Sequence, residues 1–169
     1  TDNLVTLAHP ANCRHFECTP ASSPYFDAIE IYNNAAEAGE GAGVSTHHWD
    51  YLLRNGFKVL GIASDDAHFR IRDGCGGWIM VSADRLDAAS IMPAVKNGSF
   101  YSTTGPQIFA FSESDGAIRI RCSPCYKIRF VQYDHRGRTF YSPDGKDSLT
   151  EAEFRYDPRA KYVRVECVR

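Results

Sequence analysis

The sequence predicts an α/β fold followed by a small antiparallel β module. Two observations predict the first part. Short runs such as residues 59–63 are apolar on both faces, as in strands of a buried parallel sheet, and capped helical patterns alternate with them. A third observation predicts the second part, because later strands alternate polar and apolar residues and are divided by Asp-Gly and Arg-Gly turns. The sequence therefore predicts two domains, 1–106 and 107–169.

The elements of the first domain are predicted in chain order from these patterns. Strands are expected at residues 4–8, 27–33, 57–63, 78–82 and 99–103. Helices are expected from Ser45 or Thr46 to an Asn-Gly stop at 55–56, and over 87–97. Residues 35–44, rich in Gly, Ala and Glu, are predicted to be a loop or a frayed helical turn. This order of strands and helices is typical of part of a parallel barrel or sheet.

Composition excludes several classes of function. The chain has 169 residues, 43% hydrophobic and 24% charged, with a formal net charge of −2, so a folded core is expected. No basic block indicates binding to nucleic acid. No apolar run approaches the roughly 20 residues of a membrane span. We therefore expect neither nucleic acid nor a membrane as a partner.

Six cysteines are too few for a secreted disulfide scaffold. We therefore expect reduced thiols and a cytoplasmic protein. Cys122 and Cys125 form a C-x-x-C pair, but a structural zinc site needs four ligands and a redox motif usually opens a helix. The sequence favours neither use of this pair.

Ionisable side chains follow the third predicted strand where it ends. Asp66 and His68 are two residues apart and would point to the same side if the extended geometry continued. A carboxylate and an imidazole converging there suit a divalent ion such as Mn²⁺, Zn²⁺ or Fe²⁺. The alternative is that Asp66 caps the next turn and His68 is an ordinary polar side chain.

His9 stands at the corresponding end of the first predicted strand. Pro10 follows it and cannot continue a central strand, so His9 is expected on the rim of the sheet. His9, Asp66 and His68 are therefore the candidate metal ligands. No residue is assigned a catalytic role.

Four further residues are candidates for supporting or substrate-binding roles. Asp65 is expected to point away from Asp66 and to orient a ligand or cap a turn, with direct coordination of the metal as the alternative. Glu30 and Asn33 lie near the end of the second strand, where Glu30 would orient a ligand histidine or hydrogen-bond in the core. Arg70 would contact an anionic group such as phosphate, or is a solvated surface charge.

Two motifs resemble a known family when they are taken together. Leu-Ala-His-Pro at 7–10 and Ser-Asp-Asp-Ala-His at 64–68 resemble the last two metal-binding motifs of the PHP (polymerase and histidinol phosphatase) superfamily. Segments 30–33, 49–56 and 98–106 are similar to a bacterial branch of its metal-dependent phosphoesterases, the carbaryl-hydrolase-like group. The resemblance covers residues 4–106.

The resemblance implies a fold, a metal site and an activity. The chain would be the C-terminal part of a distorted (β/α)7 barrel followed by a β-sandwich-like module, with His9, Asp66 and His68 as ligands. The family's other ligand motifs lie upstream and are not in this sequence, so the fragment alone is expected to be inactive. The parent protein would use two or three Mn, Zn or Fe ions and activated water to hydrolyse a small phosphorylated substrate.

Two alternatives to a phosphoesterase remain open. The same metal site would also suit hydrolysis of a carboxylic or carbamic ester. The other alternative is a non-catalytic scaffold whose β module binds a carbohydrate or a partner. A half barrel would expose strand edges, so a homo-oligomer or a missing N-terminal half is expected as a partner.

Overall fold

The computed structural model describes residues 3–13, 25–133 and 136–169, and the predicted barrel is wrong. Strands make up 40% and helices 18% of the structure. The described strands form four small sheets, of which three are antiparallel. The chain divides into two compact units, Thr1–Gly105 and Pro106–Arg169.

The described residues of the first unit form five strands and three helices. The strands are β1 (Thr6–Leu7), β2 (Ala28–Asn33), β3 (Leu60–Ser64), β4 (Trp78–Val81) and β5 (Phe100–Thr103). The helices are α1 (Asn34–Glu40), α2 (Thr46–Arg54) and α3 (Ala88–Lys96). Strands β1, β2 and β3 form a parallel sheet in that order, and β4 pairs antiparallel with β5. The alternation of strands and helices predicted one parallel sheet. In the structure, β4 and β5 are not part of the parallel sheet and form a separate antiparallel pair.

A small apolar cluster supports the parallel sheet. Ile29 on β2, Leu52 on α2 and Val59 are almost fully buried together. The Trp49 indole N–H donates to the carbonyl of Val59 at 2.7 Å, which fixes α2 against the start of β3. The sheet thus packs on an apolar cluster, and its strands end in polar side chains.

Helix α1 lies where a loop or a frayed turn was predicted. Asn33, the last residue of β2, caps it, because its side-chain oxygen accepts a hydrogen bond from the amide of Ala36 at 2.9 Å. Gly41 ends it in the left-handed conformation, with φ at 65°. The chain therefore turns from strand to helix at a single residue.

The second unit is antiparallel throughout its described strands. These are β6 (Ile108–Ser114), β7 (Ala117–Cys125), β8 (Lys127–Gln132), β9 (Arg138–Tyr141), β10 (Leu149–Arg155) and β11 (Val163–Val168). They form two sheets, in the orders β10-β7-β6 and β11-β8-β9. Phe130 is 1% exposed in the core and packs on Phe154, with ring centroids 5.1 Å apart. Across the described residues of both units, no helix has the length and apolar character needed to cross a membrane.

Candidate functional site

His9 lies just beyond the end of β1 in a strained conformation. Its φ is 30°, in the left-handed region that non-glycine residues rarely adopt. Its backbone N–H donates to Glu30 Oε2 at 2.7 Å, and its carbonyl accepts from the amide of Cys13 at 3.1 Å. These two bonds hold the backbone of His9 in place, so the imidazole is presented at the end of the sheet.

Asp66 lies two residues beyond the end of β3 and faces His9. Its φ is 50°, and its Oδ2 lies 4.0 Å from His9 Nε2. Asn33 Nδ2 donates to the same oxygen at 3.2 Å. Both side chains are about one-third exposed, at 33% for His9 and 39% for Asp66, so small molecules can reach the pair.

Glu30 is the buried residue that joins the ends of the three parallel strands. Its Oε2 accepts from the backbone of His9 and from Asn33 Nδ2 at 3.0 Å, and its Oε1 accepts from the hydroxyl of Ser64. The residue is 9% exposed. A buried carboxylate is tolerated when its oxygens are hydrogen-bonded in this way. Glu30 therefore holds the backbone of His9, and Asn33 holds the carboxylate of Asp66.

Left-handed backbone at non-glycine residues is concentrated around this site. His9, Asp66, Phe69 and Cys75 all have positive φ, between 30° and 60°. Each such residue costs on the order of 1–3 kcal/mol, and strain of this kind clusters at functional sites. The rest of the unit maintains these conformations against that cost.

The Asp65 carboxylate caps a loop. Its two oxygens accept the backbone N–H groups of Cys75, Gly76 and Gly77, at 2.6 to 2.8 Å. Burial acts to raise the pKa of Asp65, but these three hydrogen bonds lower it below the ordinary value. A side chain at Gly76 would put its Cβ 2.0 Å from Asn34 Oδ1, so the loop packs closely on α1. The carboxylate of Asp65 thus caps this loop.

His68 is placed differently from the prediction. Strand β3 ends at Ser64 and Asp66 is left-handed, so the extended geometry that would align Asp66 with His68 does not continue. The backbone N–H of His68 donates to Asp73 Oδ2 at 2.8 Å, and the side chain is exposed. Asp73 is 2% exposed and fixes the turn. Arg70 follows in the same exposed loop.

Cys13 is a candidate functional residue that the sequence analysis missed. Its Sγ lies 3.0 Å from His9 Nδ1, in the turn closed by the bond from its own amide to His9. The available signal is the position of Cys13 four residues after His9, because this spacing is compatible with one tight turn. Asp73 was also missed, because nothing in its neighbourhood in the sequence shows that it folds back on His68.

The two ring nitrogens of His9 point to different partners. Nδ1 faces Cys13 and Nε2 faces Asp66, so the thiol and the carboxylate are on opposite edges of the ring. Within residues 3–13, 25–133 and 136–169, no group of three or more His, Cys, Asp and Glu side chains is arranged to hold a metal ion. The pair of His9 Nε2 and Asp66 Oδ2 nevertheless fits two positions of a divalent ion, because imidazole and carboxylate suit Mn²⁺, Zn²⁺ and Fe²⁺.

Comparisons of this chain with protein-family models, with curated proteins and with solved structures found no match. The resemblance of residues 4–106 to the PHP superfamily stays a prediction based on the two short motifs.

Proposed function

We propose that the first unit carries part of the metal site of a divalent-metal-dependent hydrolase, with His9 and Asp66 as ligands. The observation that carries the proposal is the approach of His9 Nε2 to Asp66 Oδ2 at 4.0 Å, with both residues in left-handed backbone. A plain surface ion pair contributes about 0–1 kcal/mol, which would not offset two strained residues. A ligand that binds between the two side chains would give the strain a function.

The chain's own residues orient this pair. Glu30 holds the backbone of His9, and Asn33 Nδ2 is shared between Glu30 and Asp66. Hydrogen bonds behind metal ligands typically change metal affinity 10–100-fold, so Glu30 and Asn33 are positioning residues. A divalent ion bound here would act as a Lewis acid and activate water near neutral pH. His68, on the exposed loop, would make a weaker contribution because it is not grouped with the pair.

The proposed substrates are small phosphoesters. Arg70 and Arg72 lie in the exposed loop that follows His68, and guanidinium groups bind phosphoryl oxygens through paired N–H donors. Carboxylic and carbamic esters would use the same metal pair without needing these arginines. Replacing both arginines with glutamine therefore separates the two substrate classes.

The function is tested by assaying the full-length protein with Mn²⁺ or Zn²⁺ against a panel of nitrophenyl phosphates, phosphodiesters and carboxylic esters. We expect phosphoester hydrolysis that needs the metal and falls at least 100-fold in His9→Ala and Asp66→Asn, while His47→Ala, an exposed histidine of the same unit, stays active. Carboxylic ester hydrolysis alone would support the alternative substrate class. No hydrolysis by the full-length protein would contradict an enzymatic role and favour a scaffold.

A second candidate function follows from Cys13. Its thiol, the His9 ring and the Asp66 carboxylate lie in a row, which is the order of nucleophile, base and orienting group in cysteine hydrolases. Under this candidate, hydrolysis persists in a metal chelator and disappears in Cys13→Ser. Under the metal-dependent proposal, the chelator abolishes hydrolysis and Cys13→Ser retains most of it.

We also propose a cytoplasmic location. The five described cysteines, Cys13, Cys75, Cys122, Cys125 and Cys167, are all free thiols. Free thiols next to one another persist best in a reducing compartment. Labelling of the protein with a thiol reagent under denaturing conditions, directly after cell lysis, would test this, since oxidised cysteines would contradict the proposed location.

A further inference from the structure

Three of the described cysteines meet in the core of the second unit. Cys122 and Cys125 lie on β7 and are 1% and 0% exposed, and Cys167 lies on β11 of the other sheet. The Sγ atoms of Cys122 and Cys125 are 3.8 Å apart. Cys167 packs against the core cluster that contains both of these cysteines. Cysteines are often buried singly as small apolar side chains. Three in one core cluster, two of them with their sulfurs in contact, are more than such burial requires.

A β-bulge brings Cys122 and Cys125 together. Residues three apart on a regular strand point to opposite faces, yet both thiols belong to one core cluster. In the pairing of β7 with β10, Cys125 is opposite Leu149 and Arg121 is opposite Glu151, so four steps on β7 match two steps on β10. The irregularity returns Cys125 to the core. Bulges commonly re-aim a side chain in this way.

Hydrogen bonds also hold Cys125 in this orientation. Its Sγ lies 3.3 Å from the carbonyl oxygen of Leu149 and 3.5 Å from that of Lys127. The thiol is thus anchored between the end of β7 and the start of β10, at the point where the chain passes into β8. In this position its sulfur lies 3.8 Å from that of Cys122.

We propose that Cys122 and Cys125 form a redox-active pair that a peroxide oxidises reversibly to a disulfide. The two sulfurs must move from 3.8 Å to the bonded distance of about 2.05 Å. In the first step one thiolate attacks an oxygen of hydrogen peroxide and the O–O bond breaks. The leaving hydroxide takes up the proton that the thiol released, which gives a sulfenic acid and one water. In the second step the other sulfur displaces the hydroxyl group as water and the S–S bond forms. The peroxide gains the two electrons that the thiols lose.

The surroundings of the pair set its rate. Burial, and then the neighbouring thiols, raise the pKa of Cys122 and Cys125 to about 11, and the Asp147 carboxylate adds to this for Cys125. Cys167 on β11 has its pKa raised to about 11 chiefly by burial. Since the thiolate is the nucleophile, oxidation is slow at neutral pH and becomes faster as the pH rises. Both cysteines are also almost completely buried, so peroxide reaches them slowly and the pair responds to sustained oxidant and not to brief exposure.

Peptide mapping of the oxidised protein tests the proposal directly. Trypsin cleaves after Arg121 and Lys127, so both cysteines fall on one peptide, 122–127, while Cys167 falls on 165–169. After incubation of the native protein with hydrogen peroxide at pH 8, peptide 122–127 is expected to lose two hydrogen atoms. Treatment with a dithiol reductant is expected to restore them.

Control variants separate this bond from general oxidation. Cys167→Ser and Cys75→Ser should keep the mass loss in peptide 122–127, and Cys125→Ser should abolish it. The proposal is overturned if peptide 122–127 stays reduced while the exposed Cys75 is oxidised, or if it cross-links to 165–169 instead. Separate sulfinic acids on Cys122 and Cys125 would also overturn it. The wild-type result alone decides, even if a serine variant fails to fold.

Discussion

The two units of this protein bury different kinds of side chain. The larger core cluster, which includes Phe130, is in the second unit, and the first unit has a three-residue apolar cluster with buried polar residues such as Glu30 and Asn33. Four of the five described non-glycine residues with positive φ are in the first unit, while the fifth, Asp115, forms a hairpin turn. The difference indicates that the first unit is organised around polar strand ends and the second around apolar packing.

This difference explains which predictions from sequence were correct and which were wrong. In the second unit, alternation and the Asp115-Gly116 turn locate the hairpin of β6 and β7, because each signal is local. In the first unit, the same kind of reasoning located the strand ends that place His9 near Asp66. It predicted a barrel, which is wrong, because the pairing of β4 with β5 depends on contacts far apart in sequence.

The remaining parts of the site depend on backbone conformations that the sequence does not signal. Phe69 and Cys75 adopt left-handed conformations that usually need Gly or Asn, and so the loop between them was not predictable. The hydrogen bond from the backbone of His68 to Asp73 lies within this loop. The turn that places Cys13 on His9 begins at His9, which is also left-handed. Residue types and spacing indicated which polar side chains lie at the strand ends, but not the turns and hydrogen bonds that hold them.

Truncation of the second unit's core is expected to give the largest effect on stability. Phe130→Ala should lower the free energy of unfolding by about 3–5 kcal/mol, because it removes a fully buried ring and leaves a cavity. Phe111→Ala, at a 57% exposed position of the same unit, should cost within about 0.5 kcal/mol. Urea unfolding followed by far-ultraviolet circular dichroism measures both. Equal effects would contradict the packing role assigned to this unit.

Glu30→Gln is expected to give the next largest effect, in the first unit. The amide group can donate to the Ser64 hydroxyl and its oxygen can still accept from His9 and Asn33, but the negative charge that strengthens these bonds is lost, which should cost about 1–2 kcal/mol. Fluorescence of Trp49 and Trp78, the two tryptophans of the chain, reports unfolding of this unit. Gln132→Glu in the second unit is the comparison, and it should leave the tryptophan transition unchanged. An unaltered transition in Glu30→Gln would show that the buried carboxylate is not needed.

The buried thiols predict a dependence on pH in the second unit. The pKa of Cys122 and of Cys125 is raised from 9.0 to about 11 in the folded protein. The contribution of these thiols to the free energy of unfolding is therefore full below pH 9 and is lost as the pH rises through 11. The loss should be on the order of 2 kcal/mol. Urea unfolding at pH 8 and pH 11 measures it. The double variant Cys122→Ala with Cys125→Ala should lose less over the same range, and an identical loss would contradict this prediction.

Relief of backbone strain at Phe69 should give the smallest effect. Phe69 has φ at 57° and is 86% exposed, so its ring contributes little packing. Phe69→Gly should be roughly 0.5–1 kcal/mol more stable than Phe69→Ala, since left-handed strain outweighs the entropy that glycine loses on folding. Thermal unfolding followed by tryptophan fluorescence compares the two. Equal stability would show that the loop bears no strain at this position.

The binding of Mn²⁺ or Zn²⁺ to this chain, measured by isothermal titration calorimetry, tests the account most directly. We predict one site whose affinity falls at least tenfold in His9→Ala and in Asp66→Asn, with only a small change in His68→Ala and none in His47→Ala. A circular dichroism spectrum of each variant would show that the fold is retained. An equal affinity in His9→Ala and Asp66→Asn, or no binding by the wild-type chain, would contradict a metal site at this pair.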